Sequence, residues 1–329
     1  TFDTGATTFT AISSGDFDLN KGAATTFTTV GTAITFTGGE IDLADGSNLV
    51  IDTGAGGGDI TTGEIGGHSV ETVTIDAGTG ATSVGVIGNS TEIGVLQIGS
   101  AQNGAITLNG AITTDGAVTI DGPVTLATGA VSVTTADDAI TFNHKINGTQ
   151  SLTLESGTAA ITLDGVIGGD AILTGLSVNA TDGSTGTIQI TDIGDGAAVG
   201  VNTGTISIGN ANTATLTLDG TTYKTDGVTI FEAAAGSNSI LLTGASPTIT
   251  TTNNNLTFDG GNIVLSNAGT TTINTELGGS GGGNILIDGT IDGTNLENEA
   301  LVIQSGSGSV QLQGAIGATQ PFTTITINS

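Results

Sequence analysis

Apolar and polar residues alternate along almost the whole chain. The stretches "TTFTTV" from Thr25, "AITFTG" from Ala33, "ETVTIDA" from Glu71, "AVTIDGPVTLA" from Ala117, "ATLTLDG" from Ala214 and "TTITIN" from Thr323 share one design. Each has an apolar face and a face of Thr, Ser, Asp or Asn, and most run into a Gly-containing turn, so each predicts a short strand. Sustained i, i+3, i+4 apolar spacing is missing, and Gly, Thr and Asn interrupt every window of helical length. "FEAAAG" from Phe231 is the one stretch expected to form a single helical turn.

One phrase recurs. "AITLDGVIGGDAILTGLSVNA" spans residues 160–180, and weaker forms start at Ala105, Ala139, Asn284 and Ser309. Ile161 and Leu163 point one way while Thr162 and Asp164 point the other. Gly165 permits a bend, Val166 and Ile167 begin a new side, Gly168 and Gly169 form a second corner, and Leu176 with Val178 completes another inward pair. A strip of about 20–25 residues with so few inward side chains closes no core alone; stacked on its neighbour it buries them in a column and pairs its backbone with the next coil, about 4.8 Å away. The steps from Ile140 to Ile161 (161 − 140 = 21) and from Ile285 to Val310 (310 − 285 = 25) each fit one coil. The step from Ile106 to Ile140 (140 − 106 = 34) calls for an inserted loop or a weaker intervening copy.

The expected fold is therefore an all-β parallel β-helix, a β-solenoid with irregular coils of about 20–25 residues and roughly 13 to 16 of them. Tandem β-sandwich domains are the alternative, since they too show short strands at regular intervals. Against them stand the absence of Trp, only three Pro and the lack of a clear linker. The chain reads as a single elongated solenoid over residues 1–329, with candidate module boundaries at the glycine-rich stretches 54–59 and 278–284.

Composition narrows the function. Aromatic residues make up 3% of the chain and Cys, Met and Trp are absent, so the interior must be thin and aliphatic. Lack of Cys excludes disulfides and thiol chemistry, and lack of the easily oxidised residues suits a long-lived exterior structure. The formal net charge is −28, with 31 acidic residues against three lysines. Nucleic acid is excluded as a partner and anionic membranes are disfavoured, because both need Lys or Arg. Cations are the natural small partners of such a surplus. The sequence starts at Thr1 with no basic, then apolar, leader, so any export signal is expected to have been removed or to lie outside it. No apolar run approaches the roughly 20 residues of a membrane helix.

The phrase x-I-T-L/F-D/N-G-x-I-G-G, followed by a polar gap and an L-x-V strand, resembles the repeats of very large secreted bacterial proteins of the filamentous-haemagglutinin-like and autotransporter-passenger type. Residues 139–180 and 309–329 carry the resemblance best. It implies an extracellular shaft or a self-assembling filament or surface-layer subunit, used in adhesion or biofilm at the cell surface.

Few residues invite chemistry. In "GDFDLNKG", Asp16, Asp18 and Asn20 alternate on one strand face, the start of a calcium loop, although the glycine falls one place late and no bidentate Glu follows. Ca²⁺ is the one cofactor these residues suggest; a solvated strand face is the bland reading. The acidic pairs Asp42 and Asp45, Asp192 and Asp195, and Asp288 and Asp292 read first as turn formers. His68 and His144 lie far apart in sequence without evident partners, and Lys145 and Lys224 sit in no cross-linking pattern. Thr-x-Thr pairs such as Thr8 with Thr10 and Thr35 with Thr37 would order water, as in ice-binding solenoids, only if aligned on one face, and their spacing is not constant. A β-helix lyase or glycosidase would want Arg, Lys or aromatic platforms that this chain, with one Tyr, does not offer. No enzymatic activity is expected. A calcium- or glycan-binding surface module is the alternative to a structural role, and the uncapped strands near Thr7 and Thr323 predict head-to-tail association with further copies of the chain.

Overall fold

The computed structural model describes residues 2–329 except 4, 12–14, 90, 102–103, 182, 197, 237–238, 267, 278, 280 and 295–297. The chain divides into two compact units, Thr1–Ser156 and Gly157–Ser329. Both are parallel β-solenoids, with about 13 turns in all and no helix among the described residues. Every strand ladder described is parallel, and antiparallel pairing among the described residues is confined to the single bridges Asp195–Ala198 and Thr252–Glu276. Tandem sandwiches, which require antiparallel neighbours, are thereby excluded.

In the first unit each coil presents three short strands, and each strand lies on its counterpart one coil away. The first column of inward residues is Phe27, Ile51, Ile75, Ile98, Ile120 and Phe142. A second runs Ile34, Ile60, Thr82, Ile106, Val124 and Ile146. The third is Ile41, Ile65, Ile87, Ile112, Val133 and Leu154. All are buried. The shortest step along these columns is from Ile106 to Val124 (124 − 106 = 18) and the longest from Ile34 to Ile60 (60 − 34 = 26). The register holds nonetheless, because extra residues are accommodated at the corners. The glycine-rich stretch 54–59 is one such corner, between strands Leu49–Asp52 and Ile60–Thr61.

The second unit repeats the plan with longer steps. Ile161, Ile188, Leu216, Ile240, Ile263, Ile291 and Ile316 form one column. Val178, Ile208, Phe231, Phe258, Ile287 and Leu312 form another. Ile167, Ile193, Tyr223, Ile249, Ile273, Ile303 and Ile327 form the third. The step from Ile273 to Ile303 (303 − 273 = 30) exceeds the coil length expected from the sequence. Residues 278 and 280 of the second glycine-rich stretch lie outside the described residues.

Two local expectations are corrected. Ile106 and Ile140 are not one coil with an insert: Ile106 stacks on Val124 in the second column, whereas Ile140 stacks on Val118 on the first face. The recurring phrase thus encodes a strand, a glycine corner and the next strand, and it is used at different corners. Val166 and Ile167 do begin a new side: a bulge between Leu163 and Val166 shifts the register, leaving Val166 half-buried and Ile167 turned inward. "FEAAAG" is no helical turn, because Phe231 and Glu232 belong to strand Thr222–Glu232 and the Phe231 ring stacks on Phe258, centroids 5.3 Å apart. So short a stretch cannot nucleate a helix against that pairing.

Corner glycines are required where coils approach. A Cβ on Gly220 would lie 1.5 Å from the Thr191 carbonyl oxygen, and one on Gly244 would lie 1.6 Å from that of Gly220. Gly220→Ala must push the stacked backbones apart and should cost about 1–3 kcal/mol. Chemical denaturation checks this: the midpoint should fall in the variant, while Gly5→Ala, where a Cβ meets open space, should stay close to the parent's.

Candidate functional site

Strand Phe17–Leu19 turns Phe17 and Leu19 toward the interior and leaves Asp16, Asp18 and Asn20 exposed. Register sets Asp18 beside Asp42, one coil on. Asp16 also borders, with Glu40 and Glu64, its counterparts in the next two coils, a shallow depression of about 410 Å³ floored by Gly38, Gly39 and Gly63. The Asp16 Oδ1 accepts the Glu40 amide at 3.3 Å, and the Glu64 Oε2 accepts the Asn89 Nδ2 at 3.1 Å. Among the described residues no three His, Asp or Glu side chains are grouped to hold a metal ion. The signal for Glu40 and Glu64 was their equal spacing from Asp16 onward (40 − 16 = 64 − 40), legible only once the coil length is known.

Several Asx residues join coils. The side-chain oxygen of the residue just before a strand accepts the backbone N–H at the same place in the following coil. Asn48 takes the Thr72 amide at 2.8 Å, Asp59 that of Ala81 at 2.9 Å, and Asn262 that of Thr290 at 3.1 Å. Asn255 takes the Asn284 amide at 2.9 Å, and Asn284 in turn takes that of Ser309 at 3.0 Å. Asp192 accepts the Thr221 and Thr222 amides, and Asp292 those of Thr319 and Gln320. The turn-forming reading of these residues therefore extends: several bind the turn of the next coil.

Groups capable of chemistry are occupied structurally. Tyr223 is buried in its column; its hydroxyl donates to the Ile190 carbonyl at 3.0 Å and accepts the Gly220 amide at 2.8 Å. Burial pushes its pKa well above the usual tyrosine range. Lys224 donates to the Gly196 carbonyl at 3.1 Å and borders a depression of about 300 Å³ lined with Thr222, Thr248, Thr250 and Asn274, with no carboxylate among the described residues that line it. The His68 ring nitrogen Nδ1 lies 2.9 Å from the Leu43 carbonyl, and the His144 Nε2 lies 3.2 Å from Asp121. Glu71 is fully buried and accepts the amides of Gly46, His68 and Val70, so it pins the loop that precedes it. Nothing in the sequence marked Glu71, whose side chain turns into the corner.

Two surface features emerge from register alone. Thr8, Thr35, Thr61, Ser83, Thr107 and Thr125 stand one above another on the outer face of the first unit, although their sequence spacing varies. Strand Thr324–Asn328 pairs with Ala300–Gln304, and all five of its residues are exposed, including Ile325 and Ile327 at 45% each. Comparison with known proteins returns no match to a family model, a curated protein or a solved structure.

Glu71→Ala should cost about 1–3 kcal/mol for each amide left unpaired, and Glu71→Gln less, because its carbonyl oxygen still accepts; the denaturation midpoints of the two variants check the order. Because charge of one sign spreads along the coils without an ordered cation cage among the described residues, NaCl and CaCl₂ at matched ionic strength should raise the melting temperature equally. An additional rise at sub-millimolar Ca²⁺, lost in Asp16→Asn, would instead assign Asp16, Glu40 and Glu64 to a calcium site.

Proposed function

We propose that the protein is an extracellular structural element, a stacked scaffold of the kind its phrase resembles in repetitive secreted bacterial surface proteins, with roles in adhesion, biofilm, filament or surface-layer assembly. One observation carries this reading: several polar residues that could otherwise serve chemistry are engaged in joining coil to coil or in the core. Asn48, Asp59, Asn255, Asn262 and Asn284 bond the following coil, Tyr223 fills the core, and Glu71 pins a corner. No catalytic role is assigned to any residue. The composition supports an exterior location, since a chain with no Cys or Met has few sites for oxidative damage.

A stack that bears tension should come apart coil by coil, because each coil contacts only its neighbours. Pulling the chain by its two ends in a force spectrometer should give repeated ruptures, each releasing one coil, roughly 80 Å of extended chain for about 24 residues. One rupture at low force that releases a whole unit would overturn the scaffold reading.

A further inference from the structure

The outer side of the second unit's third column carries two ranks of polar side chains. Thr222, Thr248 and Thr272 stand one above another, and Lys224, Thr250 and Asn274 form the parallel rank two residues along each strand. Tyr223, Ile249 and Ile273 alternate with them and are buried, so the column holds the backbone beneath both ranks in place. All but Thr272 line the depression of about 300 Å³ beside Lys224, and Leu277, 39% exposed, adds an apolar margin.

The chemistry of this depression is opposite to that of others on the molecule. The one at Asp16, Glu40 and Glu64, and a smaller one of about 200 Å³ at Glu92 and Thr113, both carry carboxylates. Here the charged group is one of three lysines in a chain with 31 acids, and no carboxylate is among the described residues that line it. Three acids around it are held elsewhere. Asp192 accepts the Thr221 and Thr222 amides, the Asp226 Oδ1 accepts the Asn254 Nδ2 at 3.3 Å, and the Glu276 carboxyl lies against Gly306, 3.0 Å from where a Cβ would stand. The Asn274 Oδ1 accepts the Glu276 amide at 2.7 Å, so that side chain offers the depression its N–H donors. The Lys224 bond to the Gly196 carbonyl fixes the ammonium at the margin with further protons to donate.

We infer that this depression binds an acidic saccharide, a uronic-acid unit whose carboxylate meets Lys224 and Asn274 while its ring hydroxyls meet Thr222 and Thr248. The inference goes beyond the scaffold reading and stands without it. A lysine beside an amide donor favours a carboxylate through charge-assisted hydrogen bonds. A bare oxyanion would leave the threonine rank and Leu277 unused, whereas a pyranose ring offers hydroxyls to the one and C–H groups to the other. The volume is at the lower end of ligand pockets, enough for a sugar unit and more than a lone carboxylate needs. The field of a chain with formal charge −28 opposes any anion at a distance, so the affinity must come from contact. With a screening length of about 8 Å at about 0.15 M salt, remote acids are damped and the contact is not.

The small number of lysines makes the site readable. Protein labelled with ¹³C at lysine Cε, in about 0.15 M NaCl with EDTA so that no divalent ion bridges acid to acid, should show a saturable shift of the Lys224 signal on addition of trigalacturonate; Lys224→Arg supplies the assignment. By calorimetry, Lys224→Gln should weaken binding about tenfold or more. Thr248→Val, at an exposed position, should weaken it a few-fold without changing the melting temperature, and Lys21→Gln should leave it unchanged. Because the parent's titration requires no loss of charge, it decides the question even if Lys224→Gln folds poorly. Equal binding of the neutral β-1,4-galactotriose would overturn the acidic assignment. Inorganic phosphate saturating the same signal as tightly as trigalacturonate would overturn the saccharide, and no saturable shift of Lys224 at millimolar trigalacturonate would overturn the site itself.

Discussion

The pairing of each coil's backbone with the coil beside it is the constraint on which the rest depends. A single coil supplies only a few inward side chains, too few to exclude water. In the stack, Ile51 is covered by Phe27 and Ile75, and Ile273 by Ile249 and Ile303, so the hydrophobic area is buried between coils and not within one. Because the ladder is parallel and in register, like sits upon like. Thr82 departs from this, yet the register still turns it inward between Ile60 and Ile106.

Register also explains where irregularity is tolerated. Steps as unequal as those from Ile106 to Val124 and from Ile273 to Ile303 coexist with unbroken columns because the variation falls in corners, where backbone leaves the ladder. Corners carry the polar backbone groups that strands would have paired, and those groups are satisfied from the neighbouring coil by Asp and Asn side chains. Such a staple holds two coils at one height and one phase, and it costs little because both partners already lie at fixed positions on adjacent strands. Corner glycines such as Gly220 and Gly244 are the other half of this arrangement, since any side chain there would enter the backbone of the next layer.

Outside the columns, charge is unevenly distributed. Acids accumulate on outward positions near Asp18, Asp42, Glu40 and Glu64, where water screens them, while the coil of Val310–Leu312 and Thr324–Asn328 is neutral.

Much of this was legible in the amino-acid order. Period-two alternation of Ile, Val and Leu with Thr and Asp, broken by glycine, specifies strands and corners locally, and the shortage of aromatic residues rules out a thick core. Those features are enough for a parallel solenoid, and the step from Ile285 to Val310 names one coil correctly. What the order does not contain is which corner a phrase occupies, because the strand–glycine–strand unit has the same pattern on every face; hence the step from Ile106 to Ile140 left open an inserted loop or an intervening copy, and the two residues in fact stand on different faces. The aligned column from Thr8 to Thr125, the depression bordered by Asp16, Glu40 and Glu64, and the burial of Glu71 were decided only by tertiary structure. Each joins residues one or more coils apart, and their distance along the chain depends on loops whose length the alternation does not encode.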